Sequence, residues 1–455
     1  MAPRPAAVLA ASVFALGAAL CAFSSRARAQ AGPPSRAGAP PAASPVPVPP
    51  PLSASTARVY ASVLRSLVTV EVHSGNRDAK SALGSGYSVG PERLVTNYHV
   101  VASFIEEPER YQVRVRGAAG EAAATLVAFD MENDLAVLAA PGLVAPPLVL
   151  APEPPPAGSS IVALGNPHGL GLSLIEGIFN GFARKGTVER MLLSMPLNSG
   201  MSGGPILDDE QRVIGTNVSV MYLSNSLSFG VPVSKVAPLL ARPPLAPGRD
   251  SFRQEMTRQL ARVEEILAER VVKAYVAGPE EKVRVGGLEA RRPPDLFECW
   301  DDTDEYEEQG ITKARFGCDL EFTPSIEELG PVAAVTVLIE HFSSQRGRYG
   351  FYDHLEDHGG AHLEVEAQDP ESGLTTSPRC VPERVRAGAA VWKVNTCVSA
   401  LVDHPGFFNY DVAATSVDRP REAAFVAVHM KGVRPASFTS FAERTLLGVR
   451  FTGQP

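Results

Sequence analysis

From Leu67 to about Pro238 the chain reads as short apolar runs broken by Gly, Pro, Asn and Asp. LVTVEVH, GSGYSV, RLVTNYHVV, YQVRVR, ATLVAFD, LAVLAA, SIVALGNP, RVIGTNVSVM and LSFGVPV follow one another. Turn-forming residues at this spacing predict short strands in a β barrel or sandwich. Leu67 to His73 alternates after its apolar start, as a half-buried strand does.

Within this region Asn198 to Pro205 reads NSGMSGGP. Gly200 and Gly203 permit a tight turn whose N–H groups point inward together. Such a turn suits a nucleophile: the Ser202 hydroxyl attacks a carbonyl, and loop amides hold the oxyanion. Gly200, Met201 and Ser202 are the candidate donors, with Gly200 and Ser202 preferred. A serine hydroxyl is a weak nucleophile and needs a base. TNYHVV places His99 at the end of an apolar run, and an imidazole takes and returns a proton near neutral pH. NDLAVL places Asp134 directly before a strand, where its carboxylate is able to hold the other ring nitrogen. Asp130 is the rival acid; His73 and His168 are rival bases that read better as loop or turn residues. The order His99, Asp134, Ser202 is that of chymotrypsin-type double barrels, and not of subtilisins or α/β-hydrolases.

The motifs together resemble the peptidase domain of HtrA/Deg-type trypsin-like serine proteases, over residues 57–240. Gly84-Ser85-Gly86-Tyr87 and Leu94 to Val101 resemble that family's first barrel, and Asp134 to Leu138 its aspartate strand. Ala163 to Gly171 resembles its inter-barrel turn. Asn198 to Pro205 resembles its serine loop, and Phe229-Gly230-Val231-Pro232 its last strand. Ser199 and Met201 stand where the family commonly has Pro and Asn, and Ser194 where it usually has Asp; these departures bear on substrate preference more than on catalysis. No PDZ-type carboxylate loop is found downstream. The resemblance implies an all-β double barrel acting on polypeptides without metal or cofactor. Substrate would add as a strand along Asn217 to Met221. Leu197, Ser219 and Val220, with Asn217 and Val218 beside them, would surround the side chain before the cut bond. None is acidic, so small or medium apolar side chains are expected there.

The remainder frames this region. Residues 1–29 read as a signal peptide: Arg4, an apolar run from Ala6 to Phe23, then Ala27-Arg28-Ala29 as the cleavage site. Residues 30–55 are a Pro/Ala-rich spacer with too little apolar content for a core. Residues 56–242 form the expected peptidase domain. An amphipathic helix at 248–278 follows, with Ser251 and Gln254 as capping box and Phe252, Met256, Leu260, Val263, Leu267 and Val271 on one face. That face packs on its own domain; a short coiled coil making a homo-oligomer is the second use. Residues 279–455 read as an α+β domain, ending in a helix and strand over Phe438 to Phe451. Cys299, Cys318, Cys380 and Cys397 lie there, and an even number in an exported chain reads as disulfides. The local pairing, Cys299–Cys318 and Cys380–Cys397, has the lowest loop-closure cost. The acidic run Asp301 to Glu308 reads as a solvated loop, and Gly359-Gly360 interrupts the alignment of His354, His358 and His362 that a metal needs. The formal net charge of −8 offers no basic field for nucleic acid, and no second apolar run spans a membrane. These readings place the protein in the periplasm or outside the cell, as a serine endopeptidase. The alternatives are a catalytically silent trypsin-like scaffold that binds or chaperones, and an adhesin-like surface protein with a vestigial barrel.

Overall fold

The apolar runs close into two antiparallel barrels. The computed structural model describes residues 62–75, 80–169, 171–183, 188–218, 227–306, 310–320, 325–326, 330–345 and 374–453, all within one compact unit, Leu52–Pro455. The first barrel comprises β1 (Leu67–Ser74), β2 (Lys80–Gly90), β3 (Arg93–Thr96), β4 (Tyr111–Gly117), β5 (Gly120–Asp130) and β6 (Leu135–Ala139), in ring order β1-β2-β3-β6-β5-β4. The second comprises β7 (Ser160–Gly165), β8 (Ser173–Ala183), β9 (Arg190–Ser194), β10 (Pro205–Leu207), β11 (Val213–Val218) and β12 (Leu227–Pro232), in ring order β10-β11-β12-β9-β8-β7. Closure leaves no open edge on either ring.

Closure also overrides the simple alternation of β1. Val68, Val70 and Val72 face an apolar cluster, yet Thr69, Glu71 and His73 on the other face are buried as well. They are tolerated because each has a partner: Thr69 Oγ1 accepts from Asn166 Nδ2 at 2.9 Å, and Glu71 pairs with Lys80 at 2.6 Å and His73 at 3.1 Å. Two segment readings change. RLVTNYHVV is not one strand: β3 stops at Thr96 and α1 (Tyr98–Glu106) begins, so His99 lies in a helix. Asn97 has extended dihedrals at the helix N-cap and breaks the strand there. Ala163 to Gly171 is not the connection between barrels: it ends β7 and turns through Pro167–Gly169 toward β8.

After the barrels come α2 (Val236–Leu240) and then α3 (Arg249–Leu267), which continues through a π turn, Ala268–Val272, into α4 (Lys273–Ala277). The expected capping box is absent. The helix starts at Arg249, behind Gly248 with φ 116°, so Ser251 lies inside its first turn. The apolar stripe is as read, and it is divided between two partners. Phe252, Met256 and Leu260 join the core of the first barrel. Val263, Leu267, Val271 and Tyr275 join a C-terminal core. Each is at most 3% exposed, so the stripe is spent within the chain and is not available for an oligomerising coiled coil.

The C-terminal part holds a small sheet of β13 (Lys282–Val285), β14 (Leu288–Arg291) and the final strand, Arg450–Phe451. A larger antiparallel sheet contains β15 (Phe297–Tyr306) and β16 (Ile311–Leu320), with a two-residue pair, β17 (Ser325–Ile326) and β18 (Gly330–Pro331), between these and its next strand. It continues with β19 (Ala334–Ser344), β20 (Arg379–Ala387), β21 (Ala390–Ala400), β22 (Phe408–Ser416) and β23 (Glu422–Val433), in order β15-β16-β19-β23-β22-β21-β20. The helix α5 (Pro435–Gly448), started by Pro at its first turn, packs Phe441 against Tyr275 with ring centroids 4.5 Å apart. Within the described residues the acidic run is strand where a loop was expected: Asp301 to Tyr306 continues β15, an edge strand of the sheet, and Glu307 and Glu308 lie outside the described residues.

The disulfides are Cys299–Cys318 and Cys380–Cys397. Each joins directly opposed residues and ties an edge strand, β15 or β20, to its inner neighbour. Edge strands have only one ladder, so they fray first. With sequence separations of 19 and 17 residues, each bond is expected to contribute about 3 kcal/mol. Dithiothreitol is therefore expected to lower the melting temperature of the C-terminal part, and hydrogen exchange should then show β15 and β20 opening first. The expected signal peptide and spacer, and His354, His358 and His362, lie outside the described residues, as do Ser219, Val220 and Leu170.

Candidate active site

The site forms where the first turn of α1 meets the loop between β5 and β6. The first N–H groups of a helix lack partners within it. Here one finds an acid from another segment: the His99 amide donates to Asp134 Oδ1 at 3.0 Å. The other carboxylate oxygen, Oδ2, lies 2.8 Å from His99 Nδ1. Asp134 thus grips both the backbone and the ring of His99, which fixes the ring's direction as well as its Nδ1 partner. Asn97 adds a third tie, its Nδ2 donating to the Asp134 carbonyl at 2.7 Å. Asp134 has φ 59°, in the left-handed region that Asp tolerates better than most residues. The His99 side chain is 47% exposed, so the ring is reachable from solvent.

The serine loop is fastened to the first barrel by its backbone. Ser85 donates its amide to the Ser202 carbonyl at 2.7 Å and its hydroxyl to the Gly200 carbonyl at 2.7 Å. The same Ser85 Oγ accepts from the Asn166 amide at 2.8 Å, so one small buried side chain stitches three segments. Gly203 has φ 86°, and a Cβ there would stand 2.2 Å from Ser85 O and 3.0 Å from the Asn97 amide nitrogen. A Cβ at Gly84 would reach the Val100 methyls at 2.6 Å and Ser202 O at 3.1 Å. The residue after Ser202 thus lies against the residue two before His99. The folding brings the serine loop to the start of α1.

Two candidate roles change. The Met201 amide donates to Asn198 O at 3.0 Å, closing the turn, so Met201 leaves the oxyanion set and Gly200 and Ser202 remain. Met201 itself is buried in the core of the second barrel. Asn217 is fully buried and is spent on the loop: its N–H and C=O pair with Gly204 O and Gly203 N–H, and Nδ2 donates to Leu164 O at 2.9 Å. It supports the serine loop where a substrate contact was expected. Val218 is also buried, while Leu197 is half-buried with its amide donating to Ser228 Oγ at 3.2 Å.

The rival acid and base are occupied elsewhere. Asp130 accepts from Asn133 and Arg242, and His73 sits against Glu71. The loop before Asp134 is densely charged. Burial pushes the Arg190 guanidinium down, opposed by Asp134, Asp130 and Glu132. Burial and the neighbouring Asp130 push the Glu132 carboxyl up. Sequence reasoning missed Ser85 and Asn97. Their signal was a small polar residue between glycines in an apolar strand, and an Asn at a strand-to-helix break. It also missed Arg242 and Gln259, which contact this loop from beyond the barrels. Among the described residues no group of three or more His, Cys, Asp or Glu side chains is placed to hold a metal ion.

Residues 84–215 match the family described as trypsin-like peptidase domain. A serine protease of Mycobacterium tuberculosis is 31% identical over 170 residues, covering 35% of this chain and 41% of that protein. Protease Do-like 5, chloroplastic, of Arabidopsis thaliana is 31% identical over 164 residues, covering 31% of this chain and 51% of that one. A probable periplasmic serine endoprotease, DegP-like, of Rickettsia prowazekii is 30% identical over 174 residues, covering 35% and 33%. The chain thus spans between about a third and a half of the curated relatives it matches. Among solved structures, the active form of the Mycobacterium tuberculosis protease aligns at 27% identity and TM-score 0.39, covering 48% of this chain and 97% of that one.

Proposed function

We propose that this trypsin-like peptidase domain of HtrA type is a serine endopeptidase acting on polypeptides, with His99, Asp134 and Ser202 as its triad. The observation that carries the reading is the double grip of Asp134 on His99, beside a serine loop fastened to the same corner. His99 takes the proton of the Ser202 hydroxyl as it attacks the scissile carbonyl. Asp134 stabilises the imidazolium so formed. The amides of Gly200 and Ser202 receive the oxyanion. His99 then returns the proton to the leaving amine, and water repeats the cycle on the acyl-enzyme. We read residues 56–242 as the peptidase domain, and residues 248–278 with 279–455 as an accessory domain that limits access or presents substrate. Leu197, Ser219 and Val220 carry no acid, which favours small or medium apolar side chains before the cut bond. The apolar leader over residues 1–29 and the disulfides favour an oxidising compartment, periplasmic or extracellular.

The test uses the purified full-length protein with reduced casein and, separately, with a fluorophosphonate. The expected result is casein cleavage after Val, Ala or Leu, and one covalent label, located at Ser202 by mass spectrometry. Stable protein that neither cleaves nor labels would leave the silent scaffold as the better reading.

A further inference from the structure

We propose that Gln259, on α3, is a positioning residue for Asp134: the helix that leads into the C-terminal sheet clamps the loop presenting the triad aspartate. This rests on the peptidase reading above. Gln259 is 8% exposed and far from the barrels in sequence, yet its side chain is committed to the loop between β5 and β6. Its Oε1 accepts from the Met131 amide at 2.7 Å, and its Nε2 donates to the Phe129 carbonyl at 2.8 Å. Glu255, one turn earlier on α3, accepts from the same Nε2 at 2.7 Å and so fixes which way the amide faces.

Arg242 closes the clamp from the segment between α2 and α3. It donates to Phe129 O at 3.0 Å and to Asp130 Oδ2 at 2.9 Å. Asp130 in turn accepts at Oδ1 from the Asn133 amide at 3.0 Å and from its side chain at 3.2 Å. Asn133 immediately precedes Asp134. Buried and partly buried hydrogen bonds therefore tie α3 and Arg242 to Phe129, Asp130, Met131 and Asn133, and the peptide bond after Asn133 leads to the residue whose carboxylate holds His99. The need for a clamp is visible in Asp134 itself. A non-glycine residue in the left-handed region persists when its surroundings over-determine it. Relaxing to an ordinary conformation would swing the carboxylate off the two nitrogens of His99. Phe252, Met256 and Leu260 seat α3 on the first barrel, while Val263 and Leu267 seat it on the C-terminal core. The contact with the first barrel is the one that places Gln259 against the loop.

The experiment compares full-length wild type, Gln259→Leu and Val263→Ala. Val263 is on the same helix and 1% exposed, but belongs to the C-terminal core, so its truncation reports destabilisation alone. Gln259→Leu is expected to lower kcat on a casein-derived peptide by about 10- to 100-fold, with KM within about twofold, as small misplacements of catalytic groups do. Val263→Ala should lower the melting temperature and leave kcat within about twofold. The far-downfield proton resonance of His99 Nδ1 should be present in wild type and Val263→Ala and broadened or lost in Gln259→Leu. Unchanged kcat and resonance in Gln259→Leu would overturn the proposal, as would an equal loss in Val263→Ala. Inactive wild type would sink the peptidase reading instead, and the resonance would still decide whether the clamp holds.

Discussion

Replacing Ser202 with alanine is expected to lower kcat on an unfolded protein substrate by on the order of 10⁶-fold, with little change in melting temperature. The two halves of this expectation have separate causes. Stability should hold because the loop is fastened through backbone groups, which alanine keeps: Ser202 O accepts from Ser85, and the amides of Met201, Gly203 and Gly204 bond within the site. Ser202 is only 4% exposed, and losing one oxygen leaves a small gap there. Activity should collapse because alanine has no hydroxyl to attack the carbonyl or to give its proton to the imidazole that Asp134 holds. His99→Ala should cost about as much, since a nucleophile without its base is nearly inert. Asp134→Asn should cost about 10⁴-fold, as an amide favours the wrong tautomer. The losses should not add, because the three act as one unit. Steady-state hydrolysis of a fluorogenic peptide, with thermal melts in parallel, measures both halves. Retention of a tenth of wild-type kcat by Ser202→Ala would mean that another group is the nucleophile.

The barrels were legible because their cause is local. Turn residues punctuate the chain at strand spacing, and closure needs nothing beyond pairing of neighbours. The pairing of His99 with Asp134 was legible because the proposed chemistry demands those residue types in a restricted order. The helix carrying His99 was harder to see: TNYHVV is apolar enough to pass for a strand, and the break depends on Asn97 bonding to Asp134, 37 residues away. The role of Asn217 was hidden for the same reason, since its partners Leu164 and Gly204 lie on other segments. The disulfide pairing was readable from loop length, but not the reason for its placement, because no spacing says that β15 and β20 are edges. The clamp by Gln259 was unreadable. A glutamine on the flank of an amphipathic helix looks solvated until a barrel loop is found against it.

Gly203→Ala tests the seam that makes the site. The substitution adds one methyl group, yet its expected effect is loss of both activity and several kcal/mol of stability. Two penalties coincide. The residue has φ 86°, which costs an L-amino acid about 1–2 kcal/mol. The new Cβ would also lie 2.2 Å from Ser85 O, 2.4 Å from Thr96 Oγ1 and 3.0 Å from the Asn97 nitrogen. Two of these are backbone atoms of different strands or turns, so no rotamer change relieves the contact. Overpacking of this kind costs about 1–3 kcal/mol or more. Any relief must push the serine loop from β2 and from the start of α1, which separates Ser202 from His99. Gly142→Ala is the control: φ is 82°, but nothing lies within 4 Å of the added carbon, so it carries the backbone penalty alone. Urea melts should place Gly203→Ala at more than twice the destabilisation of Gly142→Ala, and only the latter should cleave casein at the wild-type rate. Equal stability of the two variants would mean that the serine loop is not held against the first barrel as described, and the proposed triad would lose its structural basis.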